Sequence, residues 1–549
     1  MSWTTIRRSM KKHTNAWLIV SLVGAAVILL PVFSILVSLF LEPNENWQHI
    51  KEYLLTDSIL QTIWLVLFTG LFTVLIGVGL AWLVAAYDFP LKRFFRWGLI
   101  LPLAIPPYIA AYTFSTMMSY TGVVQKTLRE LGIEANQSWF DLMSLKGAIF
   151  VFTMFLFPYV YLITRSFLER QSGSFIENAQ LLGRRPFSIF WRVVLPMSRP
   201  AIFGGVTLVI FEVISDYGVT SYYGIHTIST AIFQTWFGMY DLDSAVRLAA
   251  WMMVGLIGFF LVERVLRRQR RYSTPTAKLN PLVPKKLRGW SAFLAVACCG
   301  LVFAIAFLIP LLQLISWSAL SYQDVLTTTF TELAYNTVLV ALLSTAIIIV
   351  FAVMVAQVCR LQKNWFSYAL SKMVTAGYSI PGAIIAMGVL ALFVWLDKRL
   401  VPLYQWLGNE QAPLVLSLSI AMLVFAYVVR FMATGYNAID AGFEKIGTKY
   451  AEASQLLGRG MTATFWKVDL PLIKGAILSG AILTFVEIIK ELPLALLLRP
   501  FNFETLSTKT YQFASDERII EAAVPALFII AVSTISVIIF HQVGKRLER

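Results

Sequence analysis

The stretch that decides the fold is ENAQLLGRRPFSIFWRVVLP, residues 177–196, because the chain repeats it as AEASQLLGRGMTATFWKVDLP, residues 451–471. The two copies agree at a constant separation of 275 positions (452 − 177). The aligned pairs are Glu177 with Glu452, Gly183 with Gly458, Phe190-Trp191 with Phe465-Trp466, and Leu195-Pro196 with Leu470-Pro471. Chance similarity between two hydrophobic segments does not give ungapped matches of Glu, Gly and Pro. The chain therefore contains an internal repeat.

The composition indicates a membrane protein. Of the 549 residues, 58% are hydrophobic and 14% are charged, whereas soluble domains carry about 25% charged residues. Apolar runs of about twenty residues, the length that an α-helix needs to cross a bilayer, recur along the chain. No alternating strand pattern appears, so we predict an all-α polytopic membrane protein. The first run, 17–41, is too long for a signal-peptide core and is interpreted as an uncleaved span.

About twelve spans are predicted, six in each copy of the repeat. Their approximate bounds are 17–41, 59–86, 97–119, 147–168, 199–220, 244–266, 290–317, 334–358, 367–396, 413–434, 474–498 and 519–541. An even number of spans between equivalent points makes the two repeats parallel in topology. The predicted organisation is a first membrane repeat at 1–266, a basic cytoplasmic linker at 267–288 and a second membrane repeat at 289–549.

Lysine and arginine in the loops set the predicted orientation. Residues 267–288 hold eight basic residues and no acid, whereas the loop 42–58 is mainly acidic. Other basic residues also lie in short loops, so the net charge of +15 reflects orientation in the membrane, and we expect no nucleic-acid partner. Both termini, the linker and both copies of the polar stretch are then cytoplasmic.

The sequence offers no site for chemistry of its own. Its three cysteines form no disulfide framework or spaced metal site, and its four histidines are scattered. No G-x-x-x-x-G-K-[ST] phosphate loop occurs, and no catalytic constellation is visible. We therefore expect a chain that is not an enzyme, that binds no cofactor and no firmly held metal, and that depends on a separate ATP-hydrolysing partner.

The repeated stretch is too polar to insert into a bilayer and too rich in Leu, Phe and Trp to be an inert loop. Gly183 suits the position that follows a helix end, where φ is positive. One interpretation is an interfacial amphipathic helix that lies on the bilayer. The other is a docking helix for a cytoplasmic partner. Duplication favours docking, because two equivalent helices fit a partner with two-fold symmetry.

Two pairs of acids follow the polar stretches at bilayer depth. Glu212 and Asp216 lie one helical turn apart, and Glu487 and Glu491 repeat that spacing. An acid at the bilayer centre costs roughly 2.5–3.5 kcal/mol on insertion scales. These four residues therefore need a wet or paired environment.

Two interpretations of these acids remain open. In the first they are structural, capping broken helices or pairing with Lys490 and Arg499, although we expect Lys490 to lie on a different helix face from Glu487. In the second they line a substrate path between the halves, to which Tyr217 also contributes. Carboxylates and phenolates are hard oxygen donors that suit a hard cation. Glu212 and Glu487 are the candidates for transient contacts with such an ion.

The polar stretches resemble the EAA loops of ABC importer permeases, with Gly six positions after the Glu and Leu-Pro twelve and thirteen positions after the Gly. In that family the loop forms the coupling helix that sits in a cleft of the ATPase subunit. The resemblance implies a coupling role for Glu177, Ala179, Gly183, Glu452, Ser454 and Gly458. It also implies a type I importer permease fold, with ATP and magnesium held by a homodimeric ABC ATPase on the cytoplasmic side.

The segments FEVISDYGVTSYYGIHTISTAIFQTW (211–236) and EIIKELPLALLLRPFNFETLSTKTYQ (487–512) are similar to permeases of ferric iron ABC importers, in which both halves are commonly fused. That resemblance covers essentially the whole chain. It implies a bacterial inner-membrane permease that passes ferric iron, delivered by a periplasmic iron-binding protein, by alternating access. Fused thiamine permeases share this layout, so thiamine or another small cation is an alternative. A secondary carrier is less favoured, because it needs no docking helices.

Overall fold

The computed structural model describes residues 16–133, 136–170, 179, 181–184, 186–268, 283–361, 365–406, 414–417 and 419–548. Over these residues the chain is helical almost throughout, which confirms the all-α prediction. Two short strands found there, β1 (Tyr87–Asp88) and β2 (Lys285–Lys286), pair in parallel. Leu287 donates its amide to the Asp88 carbonyl at 2.8 Å. This pairing fixes the end of the predicted linker beside the loop that follows the second span.

The first repeat contains twelve α-helices in its described part. They are α1 (Ala16–Ser38), α2 (Glu45–Ile50), α3 (Thr56–Ala86), α4 (Lys92–Gly98), α5 (Pro107–Met118), α6 (Val123–Glu130), α7 (Leu145–Arg170), α8 (Pro186–Ile189), α9 (Leu195–Ser215), α10 (Gly218–Tyr222), α11 (Ile228–Phe233) and α12 (Leu242–Arg268). Shorter turns join them: 3-10 turns at Leu101–Ala104 and Gln137–Trp139, and π-helical turns at Lys51–Leu55, Phe190–Val194 and Gln234–Gly238.

The second repeat also has twelve α-helices over its described residues. They are α13 (Trp290–Phe303), α14 (Ile309–Val325), α15 (Thr328–Leu361), α16 (Trp365–Thr375), α17 (Gly382–Trp406), α18 (Ile420–Ile446), α19 (Lys449–Leu456), α20 (Met461–Thr464), α21 (Leu470–Lys490), α22 (Pro493–Leu498), α23 (Leu506–Ser515) and α24 (Ile519–Glu548). Its 3-10 turn is Ala376–Ser379, and its π-helical turns are Ala304–Leu308 and Phe465–Asp469.

Ten helices in the described part of the chain are long and apolar enough to cross a membrane, and the bent pair Lys92–Ala104 and Pro107–Glu130 brings the number to eleven. The chain is therefore a multi-pass membrane protein. The predicted span 367–396 is not among these, and it is divided between α16 and α17. Its counterpart 97–119 is divided in the same way, with an angle of 91° between the two parts.

Both divisions occur at a proline. Ile105 and Ile380 precede Pro106 and Pro381, and both are extended, with ψ of 112° and 126°. The Cδ of a proline disfavours helical backbone at the residue before it, so the helix stops there and restarts beyond the proline. The two prolines are separated by the repeat distance, and both repeats are therefore broken at the same place.

A threonine in each repeat holds an equivalent helix. The Thr62 hydroxyl accepts a hydrogen bond from the Ile228 amide at 3.1 Å, and Thr337 accepts one from the Leu506 amide at 2.8 Å. These amides lie at the starts of α11 and α23, where no intrahelical acceptor exists. The structural repeat thus extends to individual hydrogen bonds.

The first helix of each repeat packs against the other repeat. Helix α1 lies against α15, α16 and α17 of the second repeat, and α13 lies against α4 of the first. The Phe94 and Phe303 rings meet edge to face at 5.2 Å in the second of these contacts. At Gly388 on α17, an added Cβ would lie 2.5 Å from the Pro31 carbonyl oxygen on α1. The two halves are therefore interlocked through close backbone contact.

We expect Gly388→Leu to destabilise the protein by about 1–3 kcal/mol, because the side chain would push α1 away from the second repeat. The measurement is thermal unfolding of the purified protein in lipid nanodiscs. Gly79→Leu is the matched control, since no atom lies within 4 Å of a Cβ at that position. Equal unfolding temperatures for the two variants would contradict the proposed interlock.

Candidate functional site

The two polar stretches end their helices in the same way. Gly183 and Gly458 have φ of 71° and 82°, as the sequence predicted for Gly183. The residue after each glycine donates its amide to a carbonyl five positions back, that of Ala179 at 3.1 Å and that of Ser454 at 3.2 Å. This closes the helix end and satisfies a carbonyl that lacks an intrahelical partner. Glu177 lies outside the described residues.

Each polar stretch has a pair of leucines exposed at the protein surface. Leu181 and Leu182 are 84% and 81% exposed, and Leu456 and Leu457 are 89% and 84% exposed. Glu452 lies on the same short helix, α19, and is also exposed. Two equivalent apolar surfaces bordered by charge are typical of a surface that a partner covers. The coupling role of these stretches nevertheless stays a prediction.

A buried ion pair fixes the second polar stretch to the membrane helices. Asp469, at the end of that stretch, is fully buried and accepts from Arg360 on α15 at 2.8 Å. Gln357 donates to the other Asp469 oxygen at 3.0 Å, and Arg360 also donates to the Gly447 carbonyl at 3.0 Å. The sequence signal for this pair is the single acid in the segment FWKVDLP, where the first repeat has valine.

The first repeat lacks this ion pair. Asp469 and Arg360 correspond to Val194 and Ala85, so no ion pair forms at those positions. Instead, Phe190 of the first polar stretch packs against Trp82 on α3, with ring centroids 6.0 Å apart. The two polar stretches thus have similar outer surfaces but differ in their attachment to the membrane helices.

A small polar cavity of about 80 Å³ lies between the two repeats. All four predicted intramembrane acids line it: Glu212, Asp216, Glu487 and Glu491. Other polar residues that line it are Tyr108, Tyr159, Ser215, Arg430 and Lys490. The acids surround the space without converging, since no three Asp, Glu, His or Cys side chains in the described part of the chain are placed to hold a metal ion.

Two of the acids cap broken helices. Helix α9 ends just before Asp216, whose carboxylate accepts from the Val219 amide at 2.8 Å. Helix α21 ends just before Glu491, whose carboxylate accepts from the Leu494 amide at 3.3 Å. These amides belong to the first turns of α10 and α22, which have no backbone acceptors. The structural interpretation is therefore correct for these two residues, which also face the cavity.

The other two acids have side-chain partners. The Glu487 carboxylate lies 2.8 Å from the Lys490 ammonium. The expectation that Lys490 faces away from Glu487 was wrong, because residues three apart are neighbours on a helix surface. Glu212 is hydrogen bonded to Tyr159. Neither Glu487 nor Glu212 caps a helix in the way that Asp216 and Glu491 do.

Arg430 on α18 is a buried residue of the cavity that sequence analysis missed. It donates to the Ile380 carbonyl and, at 3.1 Å, to the Ser215 hydroxyl of the first repeat. The Ser215 hydroxyl also accepts from the Gly382 amide at 3.1 Å. Arg430 therefore joins the two repeats at the break in the third span of the second repeat. A lone arginine in the apolar run AYVVRFM was the signal for it.

Tyr217 does not line the acidic cavity. Its ring stacks on Phe233 at 3.6 Å and lies 5.9 Å from Tyr511 of the second repeat. It lines a second, larger cavity of about 810 Å³, together with Arg499 and Glu504. Arg499 pairs with Glu504 at 3.2 Å and not with the intramembrane acids. The place of Tyr217 on a substrate path stays a prediction.

A family model and three relatives resemble this chain. The model, described as binding-protein-dependent transport system inner membrane component, matches residues 74–271 and 348–549, one stretch in each repeat. The Fe(3+)-transport system permease protein FbpB 2 of Haemophilus influenzae is 22% identical over 85% of this chain and 86% of that protein.

Two further relatives are an ABC transporter permease without a stated substrate and a sulfate permease. The probable ABC transporter permease protein y4fN of Sinorhizobium fredii is 22% identical over 89% of this chain and 87% of that protein. The probable sulfate transport system permease protein cysT of Chlorokybus atmophyticus is 29% identical, over 32% of this chain and 59% of that protein. The similarity therefore extends to relatives with both a cationic and an anionic substrate.

We expect Arg360→Met to destabilise the protein by about 3–5 kcal/mol, because Asp469 would remain buried without a cation. The double variant Arg360→Met with Asp469→Leu removes both charges and should recover most of that stability. Thermal unfolding of the single and double variants measures the difference. A double variant as unstable as the single one would show that the ion pair itself does not fix this stretch.

Proposed function

The chain belongs to the family of binding-protein-dependent transport system inner membrane components, and on that premise we propose that it passes ferric iron through the membrane as the permease subunit of an ATP-driven importer. The observation that carries the proposal is the cavity between the repeats, whose walls hold four carboxylates. Carboxylate oxygens are hard donors, which suit a hard cation such as Fe³⁺. The relative from Haemophilus influenzae, similar over most of both chains, supports this substrate.

The charges around the cavity argue against sulfate. Four carboxylates face two cations, and both cations already have partners. Arg430 donates to a carbonyl and a hydroxyl, and Lys490 pairs with Glu487. An anion entering this space would meet an excess of negative charge in a medium of low dielectric constant, where repulsion is strong. The similarity to a sulfate permease therefore supports the transporter class and not an anionic substrate.

A second candidate substrate is thiamine, favoured by the aromatic lining of the same cavity. Tyr108, Phe155, Tyr159 and Phe431 contribute rings to its wall. Aromatic faces attract organic cations. The small volume of about 80 Å³ suits a single ion better than a two-ring molecule. Iron is therefore the first substrate to test, with thiamine as the comparison.

Energy is proposed to come from a separate homodimeric ATPase that binds ATP and magnesium. Its docking surfaces are the two polar stretches, each with its exposed leucine pair. ATP-driven closure of the dimer would move both stretches, and the anchored second stretch would transmit this movement through Asp469 to α15. The halves would then rock and open the cavity alternately to each side. A periplasmic iron-binding protein would deliver the ion to the larger cavity, which Tyr217 lines.

We expect proteoliposomes containing this chain, its ATPase and its binding protein to take up labelled ferric iron only while the ATPase is active. Parallel assays with labelled thiamine and sulfate test the other substrates. Uptake of thiamine without uptake of iron would support the importer function and identify thiamine as the substrate. Uptake that continues with an inactive ATPase would contradict the coupling.

We expect the double variant Glu212→Gln with Glu487→Gln to lose at least about tenfold in iron uptake, because it removes both carboxylates that are not used in capping. The control is Glu521→Gln, which neutralises an acid paired with Arg518 outside the cavity. ATPase binding to the permease should be unchanged in both. Normal iron uptake by the double variant would limit these acids to a structural role.

We expect Gly458→Trp to abolish ATPase binding while the chain still inserts and folds. No atom of this chain lies within 4 Å of a Cβ built at Gly458 or at Gly183, so the indole would meet a partner before any neighbour in the permease. Gly458→Ala is the matched control, because it introduces the same backbone strain at positive φ without the bulk of the indole. Co-purification of the ATPase provides the measurement, and full binding to both Gly→Trp variants would exclude docking at these stretches.

A further inference from the structure

The two repeats differ in charge at two positions of the acidic cavity: Arg430 corresponds to Phe155, and Lys490 to Ser215. Lys490 is the last residue of α21, and the residue 275 positions earlier is Ser215, the last residue of α9. The acids on either side are matched in charge, Glu212 with Glu487 and Asp216 with Glu491. The repeat therefore provides two equivalent acidic walls, and only one of them carries an ammonium group.

The cations of the cavity have different attachments. Arg430 is held by a backbone carbonyl and by a hydroxyl of the other repeat, so it is part of the framework between the halves. The Lys490 ammonium lies 2.8 Å from Glu487, and its side chain is 17% exposed. It has a flexible four-carbon stem and sits where the helix ends. Its ion pair with Glu487 lies within one helix, whereas its interaction with Glu212 of the first repeat is electrostatic at longer range. Release of Glu487 therefore breaks no ion pair between the repeats.

Glu487 is the carboxylate that a passing cation would use. Asp216 and Glu491 are occupied with the backbone amides that they cap. Glu487 and Glu212 have no capping role, and each lies on the cavity wall. The ammonium of Lys490 lies beside Glu487, in the place that a substrate cation would take. A cation that enters must displace it.

We propose that Lys490 is a tethered counter-ion that neutralises Glu487 in the empty path and is displaced by a highly charged substrate cation. This inference rests on the proposed function, since it requires a cationic substrate. A monovalent ion gains little by replacing one positive charge with another, whereas a trivalent ion interacts about three times as strongly with the same carboxylate. Lys490 therefore discriminates against abundant monovalent ions and lowers the affinity for iron, which allows the ion to leave.

The test measures binding of Tb³⁺, a hard trivalent ion whose luminescence is sensitised by nearby tyrosine rings, to the full chain in lipid nanodiscs. Tyr108 and Tyr159 line the cavity. Signal from the cavity is the part that the Glu212→Gln, Glu487→Gln double variant loses. We expect Lys490→Met to lower the Kd of that signal about tenfold, and K⁺ to compete with Tb³⁺ in this variant but not in the native chain.

Three further variants serve as controls for this test. Lys490→Ser copies the residue of the first repeat and should behave like Lys490→Met, whereas Lys490→Arg keeps the charge and should retain the native Kd. Arg518→Met, which breaks an ion pair of the same three-residue spacing away from the cavity, should also retain it. A Kd that is unchanged or raised in both neutral Lys490 variants, with native unfolding temperatures, would overturn the proposal.

Iron uptake by the same preparations separates the two proposals. If the native chain with its ATPase takes up iron and the Lys490 variants bind Tb³⁺ with the native Kd, the counter-ion role is wrong and the transport function stands. If the native chain shows no ATP-dependent uptake of iron, the proposed substrate is wrong whatever the Tb³⁺ result. With both proposals correct, Lys490→Met binds the trivalent ion more tightly but transports iron more slowly.

Discussion

The interaction on which this structure depends is the capping of broken helices inside the bilayer. A helix that stops at membrane depth exposes amide groups that lipid cannot satisfy. Asp216 and Glu491 satisfy such amides at equivalent breaks of the two repeats. Carboxylates placed for this purpose also create a polar space between the halves, because both breaks face the same cavity. The same carboxylates thus satisfy the backbone and form the proposed substrate path.

The duplicated sequence supplies a symmetric frame, and the departures from symmetry give each half its own role. Equivalent threonines hold equivalent helices, and equivalent prolines break equivalent spans. At the cavity and at the anchor of the second polar stretch, four charged residues of the second repeat have uncharged counterparts in the first: Arg360, Arg430, Asp469 and Lys490 correspond to Ala85, Phe155, Val194 and Ser215. Two of these residues line the cavity, and the other two form the ion pair that anchors the polar stretch. The second repeat therefore contributes four of the six charged residues that line the cavity.

Because the two halves interlock, neither can move without moving a helix of the other. Helix α1 packs on the second repeat and α13 on the first, with backbone contact close enough that Gly388 has no room for a side chain. The Arg430 bridge to Ser215 adds a polar link at the centre. Any rocking that opens the cavity must therefore move these crossed helices as units, since close-packed interiors transmit displacement and do not absorb it.

The sequence by itself determined the membrane class, the repeat, the positive φ at Gly183 and the four acids of the cavity. Each depends on local pattern: apolar length, constant spacing, or an acid where lipid surrounds the helix. Only the tertiary structure showed that proline breaks divide two predicted spans, that Lys490 meets Glu487, and that Arg430 and Arg360 have partners far along the chain. A buried cation is stabilised by the acceptor that the fold places beside it, and the local sequence does not identify an acceptor that lies far along the chain.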